Sequence, residues 1–474
     1  MKCKYITTTL PYVNSDPHIG FAYELVLADA LARYSRLMGH EVFFNTGSDE
    51  HGQKIAEKAD EKGESRQAYV DYYAGEFQKL KETLNLSYDR FIRTTDPEHK
   101  KAAQELWRRC EAKGDIYKKK YKGLYCVGDE MFMKESELVD GKCPNHPNLV
   151  LQEIEEENYF FKLSNYQAYL EKEYLVRDGV IIPEWRRQEA LNFVKGGLED
   201  FSISREKSRL DWGVPVPGDD DQVMYVWFDA LTNYISTLGW PEDAEGSYKK
   251  FWADSEPMQI AGKDQIRFQS IMWQAMLKSA DLAPTHTIMY HGFINSGGQK
   301  MSKSLGNVIS PFELVARYGT EATRYLLLRH VHPFEDTDIT WDRLDEWHNA
   351  NLVNGLGNLV SRILKMSETY GVMLEVQTSV ERKNNEYFDH FHIHQYMDKI
   401  WSDITDLDGY IQETEPYKKI KTDEVGAKHI VHDLLLKLSH IAHYLEPVMP
   451  ETSVLIKEAI LANKKPENLF PRLT

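Results

Sequence analysis

The sequence predicts an α/β protein built on a doubly wound parallel sheet, because the same order of strand, helix and strand occurs twice. Residues 4–46 show this order first, and residues 258–290 show it again. Parallel strands need a crossover helix between them, so two separated units of this kind predict one sheet interrupted by a long insertion. Beyond about residue 345, apolar side chains follow helical spacing almost throughout.

The first unit begins with a β-branched run at residues 4–9, which predicts a strand. From Ile19 onwards, apolar residues recur at helical spacing, and Gly39 stands where a helix would have its C-cap. Residues 41–46 form the next predicted strand, and residues 49–51 look like the start of a helix that Asp49 could cap.

The second unit consists of a strand at 258–261, a helix at 265–279 and a strand at 287–290. Ligands of doubly wound sheets bind at the carboxyl ends of the strands. We therefore expect one site at which four segments gather, namely residues 10–20, 46–52, 262–265 and 291–304.

The insertion contains a possible metal knuckle. Cys126 and Asp129 are followed by Cys143 and His146, and both pairs have the spacing of zinc ligands. A carboxylate is uncommon in structural zinc sites, so a knuckle without metal, in which the cysteines are merely buried, stays open as the alternative.

The carboxy-terminal third predicts a bundle of helices. Ser310-Pro311-Phe312-Glu313 is a capping box that opens a helix ending near Gly319. Later helices are predicted near 387–412, 425–446 and 452–462. Before them lies a two-faced helix, with one stripe of Leu352, Leu356, Leu359 and Ile363 and another of Asn351, Asn354, Asn358 and Arg362.

Composition and charge limit the class of protein. A chain of 474 residues with 42% hydrophobic residues should form about three globular domains. Four cysteines and no apolar leader predict a reduced, cytoplasmic protein, and no stretch is apolar enough to span a membrane. A net charge of -17 argues against general nucleic-acid binding and against DNA as a partner, but leaves RNA binding on a local basic strip open.

Two segments carry the chemistry of the predicted site. Pro17-His18-Ile19-Gly20 lies where a strand meets a helix, and free amide groups there favour an anion. Lys300-Met301-Ser302-Lys303-Ser304 follows two glycines, so it could form a mobile cationic loop that closes over a polyphosphate. Both segments fall at the ends of the matched units, which favours a shared nucleotide.

These segments resemble the two hallmark motifs of class I aminoacyl-tRNA synthetases, and the surrounding residues resemble the methionyl-tRNA synthetase family. The similarity covers essentially the whole chain. It includes Thr-Leu-Pro-Tyr (9–12), Thr-Gly-Ser-Asp-Glu-His-Gly (46–52), Glu-Asn-Tyr-Phe-Phe (157–161), Tyr-Val-Trp-Phe-Asp-Ala (225–230), Gly-Lys-Asp (262–264) and Tyr-His-Gly-Phe (290–293).

The resemblance implies a Rossmann-like catalytic domain split by a connective insertion, followed by an α-helical bundle that binds the anticodon. The implied divisions are a first catalytic half at 1–114, the insertion at 115–215 with its zinc-knuckle-like element at 126–146, a second catalytic half at 216–292, a linking region at 293–345 and the bundle at 346–474. The implied reaction joins L-methionine to tRNA(Met) at the expense of ATP, with Mg²⁺ accompanying the nucleotide. One Zn²⁺ in the knuckle is the further ion that the resemblance implies, and the knuckle without metal stays the alternative.

The resemblance also assigns residues. His18, Lys300 and Lys303 would be catalytic. ATP would contact His18, Gly20, Gly262, Asp264, His291, Gly292, Phe293, Lys300, Met301, Ser302 and Lys303. Methionine would contact Leu10, Tyr12, Asp49, Trp227, Ala230, Leu231, Tyr234, Phe268 and Trp273. The anticodon would contact Asn358, Arg362 and Tyr417, and the metal would be held by Cys126, Asp129, Cys143 and His146.

This sequence departs from the family pattern at several of these places. Phe21 replaces the second histidine of the first motif, so one donor to the phosphates is missing. Gln265 and Gln269 stand where an aliphatic residue and a histidine are common, which predicts a different polarity at the pocket rim. Tyr417 stands where a stacking tryptophan is usual, and stacking survives that change.

Two other functions are compatible with the motifs. A class I synthetase for leucine, isoleucine or valine would share them, although such enzymes carry a much larger editing insertion. A noncatalytic tRNA-binding paralogue is permitted by the loss of the second histidine, but the lysine loop would then have no phosphate to bind. Because the chain ends near the end of the common family core, we expect a monomer.

Overall fold

The computed structural model describes residues 2–128, 131–133, 135, 138–144, 147–301, 307–374 and 385–473. The first part of the chain alternates strands and helices: β1 (Cys3–Thr8), α1 (Ile19–Leu37), β2 (Glu41–Ser48), α2 (Gln53–Lys62), α3 (Arg66–Thr83), β3 (Arg90–Arg93) and α4 (Pro97–Ala112).

The middle part contains short strands and helices: β4 (Ile116–Cys126), β5 (Met131–Met133), β6 (Gln152–Phe161), α5 (Gln167–Val176), β7 (Ile181–Ile182), α6 (Glu184–Lys195), β8 (Phe201–Ser202), β9 (Ser204–Glu206), β10 (Pro215–Val216), β11 (Asp219–Met224), α7 (Val226–Leu231) and α8 (Asn233–Ser236). The second half of the sheet follows with β12 (Met258–Gly262), α9 (Gln274–Ser279), β13 (Thr287–His291), β14 (Ile294–Ser296) and β15 (Gln299–Lys300).

The remainder is almost wholly helical. It comprises α10 (Pro311–Tyr318), α11 (Thr320–His330), a short strand β16 (Thr337–Asp338), α12 (Trp341–Trp347), α13 (Asn358–Tyr370), α14 (Glu386–Asp389), α15 (Ile393–Thr414), α16 (Pro416–Lys419), α17 (Glu424–Leu445) and α18 (Pro450–Leu461). The predicted capping residue Ser310 accepts a hydrogen bond from the amide of Phe312, and α10 ends at Gly319 as expected.

The predicted parallel sheet is confirmed. Six strands lie in the order β3-β2-β1-β12-β13-β7, and every neighbouring pair is parallel. β1 lies between β2 and β12, so the two units identified in the sequence meet at the centre of one sheet. The edge strand β7 comes from within residues 115–215 and pairs with β13 at Ile181 and Ile182.

Both faces of this sheet are buried, as a doubly wound arrangement requires. Tyr5 belongs to the apolar cluster on one face, and its neighbour Ile6 belongs to the cluster on the other. Ile260 and Ala261 divide in the same way. The cluster that contains Ile6 continues into the carboxy-terminal helices, where the four residues of the predicted leucine and isoleucine stripe are buried.

One local prediction was wrong, and another was correct in being helical but not in the type of helix. The helix expected at 265–279 is a 3-10 turn at Lys263–Gln265, a π-helical stretch at Arg267–Trp273 and then α9. The spacing of apolar residues does not distinguish the wider turns of a π-helix from those of an α-helix. Asp49 does not cap a helix, because α2 begins only at Gln53 with Gly52 at the N-cap position.

Within the described ranges, we find no helix that combines the length and the apolar character needed to cross a membrane.

Candidate active site

The carboxyl ends of β1 and β2 lie side by side and carry two of the predicted residues. Tyr12 and Asp49 form an isolated parallel bridge, with the amide of Asp49 donating to the Pro11 carbonyl at 3.0 Å and that of Val13 donating to the Asp49 carbonyl at 3.2 Å. Asp49 is only 1% exposed, and its Oδ1 accepts from the His51 amide at 3.5 Å. The backbone of Asp49 is therefore fixed at the sheet edge, and its carboxylate is buried there.

The amino end of α1 presents His18, which is exposed and occupies the N-cap position. Its Nδ1 accepts from the Gly20 amide at 3.1 Å, which places the proton of a neutral ring on Nε2. The expectation of free amide groups here was wrong, because the Ile19 amide also has a partner, the Ile309 carbonyl at 3.0 Å. The imidazole, rather than open backbone amides, is thus the group that this helix end presents.

The contact between Ile19 and Ile309 joins the two motif-bearing segments. Ile309 follows the lysine loop in sequence, so the chain returns from that loop to the start of α1. Lys300 pairs through its backbone with Asn295, and Met301 packs against the main apolar cluster. Ser302 and Lys303 lie outside the described residues.

Phe21, which replaces a family histidine, is a core residue. It is 6% exposed and packs edge to face on Phe77 of α3, with ring centroids 5.5 Å apart. In this chain the position is therefore part of the apolar core.

Glu24 is a site residue that the sequence analysis missed. It is 3% exposed, and its Oε1 accepts from the amide of Thr9 at 2.7 Å and from its hydroxyl at 2.6 Å. Its Oε2 lies 2.9 Å from Nε2 of His291, whose Nδ1 lies 2.8 Å from the Gly292 carbonyl. One carboxylate on α1 thus links the ends of β1 and β13. The signal in the sequence was an acid among the apolar residues of the first predicted helix, a feature that Glu24 shares with the equally buried Asp29.

The pKa of His291 is raised by this arrangement. Burial disfavours the charged imidazole, but the hydrogen bond to Glu24 and its negative charge together outweigh that effect. His291 is therefore a positively charged group at a strand end over more of the neutral pH range than an ordinary histidine.

Four more residues that were predicted to bind the nucleotide lie at the same carboxyl edge of the sheet. Gly262 ends β12, and Asp264 follows it and accepts from the Gln265 side chain at 2.9 Å. Gly292 and Phe293 follow β13, and the Phe293 amide donates to Asp336 at 2.9 Å. Gly292 has no room for a side chain, since a Cβ there would lie 2.2 Å from the Glu335 carbonyl oxygen.

Most of the residues predicted to bind methionine are aromatic, and their rings form two groups with contacts inside each group. Trp227 stacks on Phe268 with centroids 3.8 Å apart and packs edge to face on Tyr12 at 6.0 Å. Tyr234 and Trp273 are in edge contact at 5.7 Å. Three aliphatic residues complete the set: Leu10 is partly buried, and Ala230 and Leu231 are 5% and 2% exposed.

Gln269, one of the departures from the family pattern, lies in this ring assembly. It is 1% exposed, and its Nε2 donates to the Tyr234 hydroxyl at 2.7 Å. Its Oε1 is buried and makes no hydrogen bond within the described part of the chain. The glutamine therefore adds an acceptor to an otherwise aromatic environment.

One buried carboxylate, that of Asp229, is hydrogen-bonded to two histidines. Asp229 is completely buried between His51, 2.6 Å from its Oδ2, and His99, 2.7 Å from its Oδ1. Burial alone would raise the pKa of this carboxyl, but His51 and His99 lower it to about 2. The charge and the two hydrogen bonds fix His51 two residues from Asp49. His99, on α4, was not identified from the sequence.

The knuckle is described only in part. Cys126 and Cys143 are both buried in one small apolar cluster with Met133, and neither forms a disulfide. Asp129 and His146 lie outside the described residues. Among the residues that are described, no group of three or more potential ligands could hold a metal ion. The zinc-knuckle element of the predicted fold is therefore not confirmed.

The predicted anticodon residues lie in the helical region. Asn358 opens α13 and is exposed, and Arg362 lies one turn later on the same helix. The Arg362 guanidinium pairs with Asp408 of α15, a partner that the sequence did not indicate. Tyr417 lies in α16 and is 44% exposed.

Comparison with known proteins agrees with this geometry. The family model for tRNA synthetases class I (M) matches residues 4–150 and 150–364. Among curated relatives, the methionine-tRNA ligase of Caldanaerobacter subterraneus is 41% identical over 95% of this chain and 73% of its own length. That of Thermosynechococcus vestitus is 41% identical over 95% of this chain and 88% of its own length.

A solved structure is similar over nearly the whole fold. Mycobacterium tuberculosis methionyl-tRNA synthetase in complex with methionyl-adenylate superimposes with a TM-score of 0.89 at 38% identity, covering 97% of this chain and 94% of that one. Because the family model and relatives this similar each span most of the chain, the protein belongs to the methionyl-tRNA synthetase family of class I tRNA synthetases.

Proposed function

We propose that this enzyme activates L-methionine with ATP and transfers it to the 3′ end of tRNA(Met). The observation that carries the proposal is the likeness, at 38% identity, to a synthetase solved with methionyl-adenylate. The site at the strand ends is consistent with this proposal, because the buried carboxylate of Asp49, the aromatic side chains and the exposed His18 lie at one edge of the sheet.

The reaction needs no protein nucleophile. A carboxylate oxygen of methionine attacks the α-phosphorus of ATP, the bond from that phosphorus to the bridging oxygen breaks, and pyrophosphate leaves with the electron pair. A ribose hydroxyl at the tRNA end then attacks the methionyl carbonyl carbon, and AMP leaves. Positioning and charge stabilisation therefore supply the catalysis.

His18, Lys300 and Lys303 are proposed to hold the phosphates. The Nε2 proton that the Gly20 contact assigns to His18 gives the ring a donor. The lysines would neutralise the charge that develops on the leaving pyrophosphate, and Mg²⁺ bound to ATP would add to this. Gly262 and the neighbouring proposed ATP residues would line the nucleotide, whereas the missing side chain of Gly292 makes room for the Glu335 carbonyl.

Methionine is proposed to bind between Asp49 and the rings. The buried carboxylate of Asp49 would pair with the ammonium group. The stacked pair of Trp227 and Phe268, with Tyr12 at its edge, offers polarizable surface to a thioether.

Amino-acid-dependent exchange of labelled pyrophosphate into ATP tests the proposal. We expect exchange with methionine and not with leucine, isoleucine or valine. Exchange with leucine alone would contradict methionine as the substrate. No exchange with any of the four amino acids would favour a noncatalytic tRNA-binding protein. Lys303→Ala should lower the exchange rate by about a hundredfold, as loss of one transition-state charge contact typically does.

Asn358, Arg362 and Tyr417 are proposed to contact the CAU anticodon. Because Arg362 pairs with Asp408, it must exchange that partner for RNA when tRNA binds. Arg362→Ala should raise the KM for tRNA about tenfold, whereas Asp408→Asn should lower it by freeing the guanidinium. Both variants should keep the wild-type pyrophosphate exchange, which does not involve tRNA. Unchanged tRNA charging in Arg362→Ala would contradict the assignment.

A zinc ion in the knuckle is a separate proposal. Two buried thiols in one cluster, Cys126 and Cys143, suit the soft ligand preference of zinc, and Asp129 and His146 would complete the set. Metal analysis of protein washed with a weak chelator should give about one zinc per chain, and Cys143→Ser should lose it. Less than a tenth of an equivalent in the wild-type protein would contradict the proposal.

The division into domains at 1–114, 115–215, 216–292, 293–345 and 346–474 is likewise proposed, as are a monomeric state and action in the cytoplasm. The four cysteines, none in a disulfide, are consistent with a reducing compartment. Sedimentation equilibrium that gives twice the chain mass would contradict the monomer.

A further inference from the structure

The short strand β16 connects three parts of the proposed nucleotide site. It pairs in parallel with β14, opposite Ile294 and Asn295. Two carboxylates at this strand have different partners. Asp336, just before the strand, reaches the segments after β12 and β13, and Asp338, in the strand, reaches the turn before Lys300. None of these carboxylates belongs to the motifs identified from the sequence.

Asp336 holds two strand ends together. Its Oδ1 accepts from the Phe293 amide at 2.9 Å and from Lys263 Nζ at 2.6 Å, and its Oδ2 accepts from the same ammonium at 2.8 Å. The ammonium lies 4.6 Å from the centre of the Phe293 ring. Lys263 belongs to the Gly-Lys-Asp segment and Phe293 follows Gly292, so one side chain fixes both.

The backbone of this segment is packed equally closely. The Thr337 amide donates to the Phe293 carbonyl at 2.9 Å. A Cβ on Gly292 would collide with the Glu335 carbonyl at 2.2 Å. The residues before β16 thus lie directly against the chain that follows His291.

Asp338 holds the turn from which the lysine loop departs. Its Oδ1 accepts from the Gly298 amide at 2.7 Å, and Gly297 and Gly298 both have positive φ, 64° and 74°. Arg343 donates to the Asp338 carbonyl at 3.1 Å and steadies the strand from its other side. The turn leads directly into β15 and Lys300.

We propose that Asp336 and Asp338 are positioning residues for ATP: Asp336 sets the place of Lys263 and the Phe293 amide, and Asp338 sets the turn that carries the lysine loop. This inference rests on the proposed function. Neither carboxylate needs to touch the nucleotide.

The size of the expected effects distinguishes positioning from a merely structural role. The ion pair between Lys263 and Asp336 is partly exposed, with side chains 24% and 38% exposed. Such pairs contribute little to stability. Removing Asp336 should therefore change ATP binding much more than the melting temperature.

The variants Asp336→Ala, Asp336→Asn, Asp338→Ala and Asp338→Asn test the proposal, with exposed Glu335→Gln as the matched control. In methionine-dependent pyrophosphate exchange, Asp336→Ala should raise the KM for ATP about tenfold and leave the KM for methionine within about twofold. Asp336→Asn keeps an acceptor for the Phe293 amide but loses the charge, so its effect should be intermediate.

Asp338→Ala should lower kcat about tenfold, because the loop would no longer be held for the transition state. Asp338→Asn keeps an acceptor for Gly298 and should recover most of the rate. Glu335→Gln should match the wild type. The proposal would be overturned if the KM values for ATP and for methionine rose equally in a variant with a lowered melting temperature. It would also be overturned if Asp336→Ala and Asp338→Ala both behaved like the wild type.

Binding of α,β-methylene-ATP, measured by calorimetry, separates this inference from the proposed function. Its scissile α–β bond is blocked, so binding is read without reaction. Wild-type protein that fails to exchange with methionine would contradict the proposed function alone. An Asp336→Ala variant that binds the analogue as tightly as the wild type would contradict the inference, whatever the exchange assay shows.

Discussion

At the scale of single residues, the site depends on buried charges that are each given a partner. Glu24 is held by Thr9 and His291, and Asp229 is held by His51 and His99. An unpaired charge in such an interior would cost several kcal/mol, so each pair fixes geometry that an apolar residue could not. The imidazoles of His51 and His291 are therefore oriented by these carboxylates.

Replacing Glu24 by glutamine should make the protein less stable, and the loss should depend on pH. His291 has a raised pKa in the folded protein, so its charged form contributes stability that is fully present below its unfolded pKa of about 6.5 and is lost as pH rises through the folded pKa. Glu24→Gln removes that contribution. The difference in free energy of unfolding from wild type should be about 1 to 3 kcal/mol at pH 6 and smaller at pH 9.

Urea unfolding of both proteins at pH 6 and pH 9 measures this difference. Glu335→Gln, an exposed acid, serves as the control and should show no difference at either pH. A gap for Glu24→Gln that is equal at the two pH values, or wider at pH 9, would show that His291 is not the titrating group.

How much of the site the sequence predicts also depends on the residue. His18, Asp49 and the ring residues come from recognisable motifs, and the structure brings Asp49 next to Tyr12 and Trp227 next to Phe268. Glu24 and His99 were missed because each acts through a partner more than a hundred residues away in sequence. No local pattern encodes such pairings.

At the scale of elements, strand positions could be predicted because short stretches of β-branched and apolar residues are bounded by turn residues. β1, β2, β12 and β13 lie within about two residues of their predicted bounds. The π-helical stretches at Arg267–Trp273 and His348–Gly357 were not predicted, since one extra residue per turn leaves the apolar pattern recognisably helical.

Two glycines in regular elements should respond oppositely to alanine. A Cβ at Gly47 of β2 would lie 1.9 Å from the Ile92 carbonyl on β3, so Gly47→Ala should separate the strands and cost about 2 kcal/mol or more. Gly75, inside α3, has nothing within 4 Å of that position, so Gly75→Ala should stabilise by about 0.5 to 1 kcal/mol. Thermal unfolding of the two variants checks both signs. Stabilisation by Gly47→Ala would show that β2 and β3 are not in the described register.

At the scale of the whole molecule, one buried arginine ties the sheet to the helical region. Arg324 of α11 is completely buried and lies 2.7 Å from Asp29 of α1. It also donates to the Leu84 carbonyl after α3 and to the Val448 carbonyl before α18, both at 3.0 Å. In the sequence it sits in an ordinary helical pattern, so the packing of the helices on the sheet could not be predicted from it. The family resemblance implied the order of the domains but not this contact.

Arg324→Met should therefore be among the most damaging single changes outside the site. It leaves two carbonyl oxygens buried without their donor and takes one of two arginines from Asp29, which keeps Arg33 and Ser87. Breaking a buried pair costs about 3 to 5 kcal/mol. Arg329→Met on the same helix is the matched control, because its partner Asp398 is 59% exposed, and it should cost about 1 kcal/mol. Urea unfolding followed by tryptophan fluorescence measures both. Since Arg324 joins elements from both ends of the chain, its loss should also broaden the transition as the helices begin to unfold apart from the sheet. A sharp transition, with a loss no larger than that of Arg329→Met, would show that the helices are held to the sheet by apolar packing alone.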